Sequence, residues 1–187
     1  DEALARVAEL FLAMPKSATR RSPEVPEQFD FIRSWPARER FAGALLGLAA
    51  GDALGTTLEF TPPERVAPLA DMVGGGPFGL PAGCWTDDTS MAMCLAESLV
   101  ACAGFDPHDQ MTRYVRWFRE GHWSSTGACF DIGNATRSAL TRFERTGDPF
   151  SGSEDERTAG NGSLMRLAPA VLVWWLTGRF PRGGVTP

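Results

Sequence analysis

Apolar residues recur at helical spacing along most of this 187-residue chain, and no stretch of useful length alternates strictly between apolar and polar positions. This pattern predicts about six helices joined by loops large enough to contact a ligand, and no strand. The first two are a short amphipathic helix over residues 1–14 and a long helix over residues 38–58. We therefore predict an all-α fold.

Three later helices have recognisable start and stop signals. The first follows a polar corner at residues 86–88. The second opens with Asp106 as its N-cap and Pro107 at the first helical position, which is a favourable start. The third begins within residues 130–137. These three helices are predicted to end near Ala103, Gly121 and Arg145.

The helix over residues 38–58 carries a stripe of glycines spaced four residues apart. Each glycine costs about 1 kcal/mol relative to alanine within a helix, so the stripe calls for an explanation. A surface without side chains permits close approach by another helix or by a ligand, and we expect close helix packing. The four glycines are Gly43, Gly47, Gly51 and Gly55.

Two acidic residues near the end of the same helix are candidates for other roles. Asp52 is expected to cap or anchor a neighbouring segment. Glu59 lies between Leu58 and Phe60, and an isolated carboxylate is costly to bury. Glu59 must therefore be paired or take part in chemistry.

Three oxygen-bearing side chains stand together at the start of the next helix: Thr86, Asp87 and Asp88. Hard oxygen ligands on a helical support suit Mg²⁺, Mn²⁺ or Ca²⁺ better than zinc, which favours Cys and His. Thr and Asp are also common at helix starts, where each acidic side chain is stabilised by about 0.3–1 kcal/mol. The residues alone leave two hypotheses open, a divalent-metal site and a capped helix.

Two further polar groups also allow two interpretations. Asp131 and Asn134 lie three residues apart near a predicted helix start, so they are expected to share a face; the alternative is an N-cap with an accompanying amide. Residues 160–163 precede the last predicted helix, where backbone N–H groups and the helix dipole favour an anion, although most such strings are turns. Pro169 is expected to kink or restart that helix, and residues 171–176 are expected in the core.

Composition argues against several classes of protein. The chain is 43% hydrophobic and 22% charged, ordinary values for one domain with a substantial core. Its net charge of −5 and its lack of a long basic run argue against nucleic-acid binding. Its longest apolar run is too short to span a bilayer, so we expect no membrane association. The spacing of its four cysteines favours reduced thiols and a cytoplasmic location, and two histidines exclude a His-rich metal site.

The N-terminal part of the chain differs in character from the rest. Residues 15–36 contain four prolines, mixed charges and few aliphatic residues, which is typical of an extended linker or arm. We predict an N-terminal extension over residues 1–37, made of a short helix and this arm, followed by a helical domain over residues 38–187.

Four stretches, taken in order, resemble motifs of the ADP-ribosylglycohydrolase family, which includes the dinitrogenase-reductase-activating glycohydrolases. Each is modest alone, and all four in this order are highly specific. The resemblance covers about residues 39–176 and leaves out the N-terminal extension. The stretches are GALLGLAAGDALGTTLE over 43–59, GCWTDDTSM over 83–91, CFDIGNATR over 129–137 and GNGSLMR over 160–166.

The resemblance implies an all-α orthogonal helical bundle with two divalent ions, Mg²⁺ or Mn²⁺, in a cleft. Family members hydrolyse the glycosidic bond between ADP-ribose and a side chain or small molecule. By resemblance, Thr86, Asp87 and Asp88 are metal ligands. Glu59, Asp87 and Asp131 are implied to be catalytic. The residues implied to bind the substrate are Asp131, Asn134, Gly160, Asn161, Gly162 and Ser163.

The chain departs from the family pattern in one respect. The family completes its metal site with a second motif, Asp-x-Asp followed by Thr or Ser, and this motif occurs nowhere here. The chain is therefore expected to correspond to the N-terminal half of the family domain, with the bundle incomplete. Either a second chain supplies the missing ligands, or the site is degenerate and holds fewer ions. We expect this chain alone to be inactive.

Two functions follow from the resemblance. The first is a hydrolase that removes ADP-ribose from modified proteins, with ADP-ribosylarginine as the expected substrate class. The second is an immunity protein that binds an ADP-ribosyltransferase toxin, with the N-terminal arm blocking the toxin's active site. A third alternative is a helical protein that has the family fold but no catalytic activity.

Overall fold

The computed structural model describes residues 37–158 and 160–177, and their regular structure is helical. Within these residues the only strand-like pairing is an isolated antiparallel bridge between Gly75 and Leu80, so the all-α prediction is confirmed. The predicted helix over residues 1–14 and the arm over residues 15–36 lie outside the described residues. The α-helices are α1 (Ala37–Gly55), α2 (Asp87–Ala101), α3 (Pro107–Glu120), α4 (Asn134–Thr146) and α5 (Ala168–Thr177).

The core is built around α2, which packs against α1, α3 and α5. Residues 89–96 of α2 are all buried, as expected for a helix that is apolar on nearly every side. Around it lie Phe41 and Leu45 from α1 and Tyr114 and Trp117 from α3, each no more than 2% exposed. The polar corner at residues 86–88 therefore begins a helix that the rest of the fold holds rigidly.

Local signals set the ends of α3 and α4. The Asp106 carboxylate accepts hydrogen bonds from the N–H groups of His108 and Asp109, at 2.9 and 3.0 Å. At the other end, Gly121 has φ of 70°, the left-handed conformation that terminates a helix. Gly147 ends α4 in the same way. These boundaries agree with the predicted ones because each signal acts within a few residues.

The expected packing of a helix on the glycine stripe of α1 is not found among the described residues. Four glycines are exposed, and apart from neighbouring parts of α1 itself no described atom lies within 4 Å of their Cβ positions: Gly43, Gly47, Gly51 and Gly55. Three of the four line a cavity instead. The α-helix also ends at Gly55 and continues as a 3-10 turn over Thr56–Leu58.

One helical stretch of the described residues, Glu39–Leu58, is long and apolar enough to cross a membrane, with a mean hydropathy of 1.4. One side of this stretch lies in the core through Phe41, Leu45 and Ala49, and Asp52 within it is hydrogen-bonded to the start of α2. Its other side is exposed at Leu46. These contacts fit a core helix with one open face, and the expected lack of membrane association stays a prediction.

The last apolar segment is only partly buried, so the prediction that residues 171–176 lie in the core was too broad. Val173 is buried, whereas Val171, Trp174 and Trp175 are 42%, 39% and 52% exposed. The apolar sequence of α5 does not show which side of the helix is packed against the other described residues. The predicted restart at Pro169 is confirmed, because α5 begins at Ala168 after a separate turn.

A tight hairpin-like loop over residues 74–80 docks on the end of α1. Gly75 and Leu80 exchange backbone hydrogen bonds of 2.7 and 3.0 Å, and the Thr57 hydroxyl donates to the Gly74 carbonyl oxygen at 3.2 Å. A Cβ on Gly76 would lie 2.6 Å from the Thr56 carbonyl oxygen, whereas a Cβ on Gly75 would meet no atom within 4 Å.

Gly76→Ala is expected to lower the free energy of unfolding by about 3 kcal/mol, through left-handed strain and the backbone clash together. Gly75→Ala is the matched control, since its φ of 81° carries the strain without the clash; we expect a loss of about 1 kcal/mol. Urea denaturation followed by circular dichroism measures both. Equal losses of unfolding free energy in the two variants would show that the loop over residues 74–80 does not pack tightly against the end of α1.

Candidate functional site at the start of α2

Asp52 on α1 anchors the first turn of α2. Its carboxylate accepts hydrogen bonds from the Thr86 N–H and hydroxyl, the latter at 2.8 Å. It also accepts from the Thr89 N–H at 3.1 Å and the Thr89 hydroxyl at 2.7 Å. The anchoring role predicted for Asp52 is therefore confirmed. Thr86 occupies the N-cap position, but its side chain makes no capping bond to its own helix.

A second set of contacts holds the residue before the corner. The indole N–H of Trp85 donates to the Trp123 carbonyl oxygen at 3.1 Å, and the Ser125 hydroxyl donates to the Trp85 carbonyl oxygen at 2.6 Å. Glu97 on α2 accepts from the Trp123 indole N–H at 2.9 Å and lies 2.7 Å from the His122 ring. The corner at residues 86–88 is thus fixed from both sides.

Asp87 carries the strongest electrostatic perturbation in the site. It is buried, and this burial together with the negative charges of Asp131, Asp88 and Asp52 raises the pKa of Asp87 from 3.8 to about 7. Of the three neighbouring charges, that of Asp131 contributes most to this shift. Near neutral pH the pair is therefore incompletely ionised.

The neighbouring acids are perturbed in the same direction. Burial raises the pKa of Asp88, with further contributions from Asp52 and Asp131. Burial and the charge of Asp131 also raise the pKa of Glu59, and burial raises that of Asp131. We call Asp52, Glu59, Asp87, Asp88 and Asp131 the acid cluster. Because its members repel one another, the cluster favours a bound proton or a bound cation.

Members of the acid cluster line two cavities. One, of about 630 Å³, is lined by Asp87, Asn134 and the Gly160–Gly162 loop, together with Arg142 and Arg157. The other, of about 520 Å³, is lined by Glu59 and Asp88 and by the exposed glycines of α1. The adjacent aspartates of the corner therefore face different cavities.

The predicted relation between Asp131 and Asn134 was wrong. Asn134 is the first residue of α4, Gly133 takes the N-cap position without a side-chain bond, and Asp131 lies in the loop before it. The two side chains therefore do not share a helix face, and Asp131 is not an N-cap. Asp131 instead belongs to the acid cluster, while Asn134 lines the 630 Å³ cavity.

The glycine loop also differs in detail from the prediction. Asn161–Ser163 forms a 3-10 turn, and α5 starts only at Ala168, so the loop does not sit at the N-terminus of the last helix. Gly160, Asn161 and Gly162 line the larger cavity, whereas Ser163 is absent from its wall. The loop therefore lines the cavity as a separate turn, without the dipole of the last helix.

Arg166 fixes this loop, a role that the sequence analysis did not assign. Its guanidinium donates to the Gly162 carbonyl oxygen and lies 4.9 Å from the centre of the buried Tyr114 ring. Sequence reasoning also missed Arg142 and Arg157 as cavity residues. Their spacing carries no signal, because only the fold brings them to the same wall.

The acid cluster has the type of ligand atoms that divalent cations prefer, but it provides only part of a binding site. Carboxylates and a threonine hydroxyl are hard oxygen donors suited to Mg²⁺ and Mn²⁺. The Thr86 hydroxyl donates its proton to Asp52, which leaves its lone pairs available to an ion. In the described part of the chain, however, no three His, Cys, Asp or Glu side chains converge closely enough to hold an ion.

The comparisons with known proteins agree on one family. The family model of ADP-ribosylglycohydrolases matches residues 34–180. The chain is 54% identical over 147 residues to the ADP-ribosylarginine hydrolase Tri1 of Pseudomonas putida (strain GB-1), covering 74% of this chain. It is 37% identical over 141 residues to the ADP-ribosyl-[dinitrogen reductase] glycohydrolase of Rhodospirillum rubrum, covering 72% of this chain.

A solved structure gives the same result for the fold. This protein is similar to one chain of an ADP-ribosylglycohydrolase-related protein complex. The TM-score is 0.60, the sequence identity is 54%, and the match covers 72% of the present chain. In each comparison the chain spans well under half of the relative: 39% of the Pseudomonas protein, 44% of the Rhodospirillum protein and 42% of the solved chain.

Proposed function

The chain belongs to the ADP-ribosylglycohydrolase family, and we propose that it forms the part of a divalent-cation-dependent hydrolase site that binds ADP-ribose attached to arginine. One observation carries this proposal: segments far apart in sequence bring five carboxylates close enough for their charges to interact, and four of the five line two cavities. The arginine linkage is supported by the names of two relatives, ADP-ribosylarginine hydrolases that are 54% and 51% identical to this chain.

The larger cavity suits the ADP-ribose part of the substrate. Its volume of about 630 Å³ lies within the usual range for small-molecule sites, roughly 300–1,000 Å³. Arg142 supplies positive charge, as does Arg157 beside its ion-pair partner Asp155. The Gly160–Gly162 loop supplies backbone N–H groups, and together these match a diphosphate. Asp87 lies in the same wall, so a ribose beyond the diphosphate reaches the acid cluster.

The acid cluster suits cleavage at the anomeric carbon. This reaction passes through an oxocarbenium-like state, whose positive charge is stabilised by the carboxylates of Asp87 and Asp131. Divalent ions held by Thr86, Asp87 and Asp88 would orient ribose hydroxyls and increase the acidity of water. Burial raises the pKa of Glu59 toward neutrality, which suits a general base that takes a proton from the attacking water.

The proposal predicts that the 187-residue chain binds ADP-ribose in the presence of Mg²⁺ or Mn²⁺. Asp131→Asn is expected to weaken that binding by roughly tenfold or more, because it replaces a charged hydrogen-bond acceptor. Asp71→Asn, an exposed aspartate that lines neither cavity, is the matched control. Isothermal titration calorimetry with and without EDTA measures both effects.

No ADP-ribose binding by the unaltered chain under any divalent-ion condition would contradict the proposal. Turnover is a separate matter, since the chain spans well under half of its relatives. We propose that the missing ligands come from a further segment or a second chain, so that binding is retained without it and hydrolysis is not. The toxin-binding alternative rests on an arm outside the described residues and stays a prediction.

A further inference from the structure

We propose that three phenylalanines, Phe60, Phe78 and Phe130, form an aromatic shelf that binds the cationic guanidinium group of the leaving arginine. The inference rests on the proposed function and deepens it, because it names residues that determine specificity for the leaving group. The shelf stands outside the acid cluster itself, and none of its members lines either of the two cavities.

The three rings form a continuous contact. The centroids of Phe60 and Phe78 are 6.4 Å apart at an interplanar angle of 71°, and those of Phe78 and Phe130 are 5.5 Å apart at 60°. These distances and tilts are typical of attractive aromatic pairs. Each ring comes from a different segment of the chain, so the shelf is a product of the fold.

The shelf adjoins the acid cluster at both of its ends. Phe60 directly follows Glu59, and Phe130 directly precedes Asp131. Phe78 is carried by the loop over residues 74–80, which Thr57 holds on the end of α1. The central ring is therefore fixed by the same docking that Gly76 permits.

Phe60 occupies the third position of a turn closed by a 3.0 Å hydrogen bond from the Thr61 N–H to the Leu58 carbonyl oxygen, a position that requires positive φ and usually holds glycine or asparagine. Its φ of 59° lies in the left-handed region, which is uncommon for a bulky residue and costs energy. Its side chain is 79% exposed, so the strain does not serve to bury the ring among the described residues. A phenylalanine in a turn position that favours glycine, with its ring exposed beside a candidate catalytic carboxylate, supports a binding role for the ring.

Charge complementarity identifies the occupant as a cation. Glu59 and Asp131, which flank the shelf and are not among the proposed metal ligands, supply a negative potential around it, and this disfavours an anionic group such as a diphosphate. Planar guanidinium groups bind to aromatic faces through cation–π attraction. In ADP-ribosylarginine the guanidinium is bonded to the anomeric carbon, so a ribose held at the acid cluster brings the guanidinium to the shelf.

The test compares two ligands by calorimetry with Mg²⁺: ADP-ribose, which has a hydroxyl at the anomeric carbon, and ADP-ribosylagmatine, which has a guanidinium with an aminobutyl chain there. The unaltered chain is expected to prefer ADP-ribosylagmatine, and Phe60→Leu is expected to reduce that preference about 3- to 10-fold, as for one cation–π contact. Phe60→Trp should preserve it. Phe150→Leu is the matched control, because Phe150 is also exposed, at 59%, and lies outside the shelf.

The possible outcomes separate the inference from the function it rests on. Unchanged preference in Phe60→Leu, with ADP-ribose still bound, overturns the shelf alone. An equal loss for both ligands means that the shelf stacks on another part of the molecule, and this also overturns the inference. Failure of the unaltered chain to bind ADP-ribose overturns the proposed function and the shelf with it. Circular dichroism of each variant verifies that the fold is intact.

Discussion

Replacing Asp87 by asparagine is expected to stabilise the metal-free chain and to abolish its response to divalent cations. Burial and three neighbouring carboxylates raise the pKa of Asp87 to about 7, so ionisation of this group opposes folding. A pKa raised that far corresponds to at most about 4 kcal/mol. Because Asp87 and Asp131 interact, part of this energy belongs to the pair rather than to Asp87 alone, and we expect a gain of about 2 kcal/mol.

The sign of this effect depends on pH. Folding raises the pKa of this carboxyl group, so its contribution to the free energy of unfolding is most favourable below 3.8, the pKa in the unfolded chain. That contribution is lost as the pH rises to about 7, the pKa in the folded chain. The stabilisation by Asp87→Asn should therefore be small at pH 4 and full at pH 8. Thermal unfolding in EDTA at both pH values measures it, with Asp71→Asn as the control.

The same variant should not gain thermal stability when Mn²⁺ is added, whereas the unaltered chain should. Binding at a hundredfold excess over the dissociation constant stabilises a folded state by about 2.7 kcal/mol. A variant that is less stable than the unaltered chain at pH 8 without metal would contradict the role given to Asp87. An unchanged response to Mn²⁺ would do the same.

Asp52→Ala is expected to have the opposite effect on stability, a loss of about 3–4 kcal/mol. The substitution leaves the N–H and hydroxyl groups of Thr86 and Thr89 without their acceptor. Hydrogen bonds to a charged group contribute about 1.5–3 kcal/mol each, and stranded donors add a desolvation cost. Relief of repulsion within the acid cluster offsets only part of this.

Asp106→Ala is the matched control for Asp52→Ala. Asp106 also accepts two backbone hydrogen bonds at a helix start, but it is exposed and caps its own helix, so its removal should cost about 1 kcal/mol. Urea denaturation at pH 7 compares the two. If both substitutions lower the free energy of unfolding by the same amount, Asp52 acts only as an ordinary helix cap and does not hold the corner at residues 86–88.

Sequence signals that act locally predicted the structure well. The ends of α3 follow from Asp106, Pro107 and Gly121, because each sets the backbone within one turn. The sequence also indicated that Asp52 anchors another segment, but the partners, Thr86 and Thr89, lie 34 and 37 residues away. Such a pairing depends on how α1 packs against α2, which residue spacing does not encode.

The failures share one physical cause, which is tertiary placement. Asp131 and Asn134 have helical spacing, yet Gly133 begins the helix between them. The glycine stripe of α1 predicted close packing by another helix, yet among the described residues it borders a cavity. The shelf has no sequence signature at all, because its three rings come from segments that meet only after folding. The metal ligands and substrate residues named from the family stay predictions.

The double attachment of the corner has a kinetic consequence. With Asp52 on one flank and Trp123 and Ser125 on the other, the aspartates hold their positions before any ion arrives. Under the proposed function, ion uptake would require no rearrangement of this corner, and its rate would be governed by how quickly the metal loses its hydration water. Stopped-flow traces should accordingly be single-exponential and much faster for Mn²⁺ than for Mg²⁺, whose hydration shell is the more tightly held.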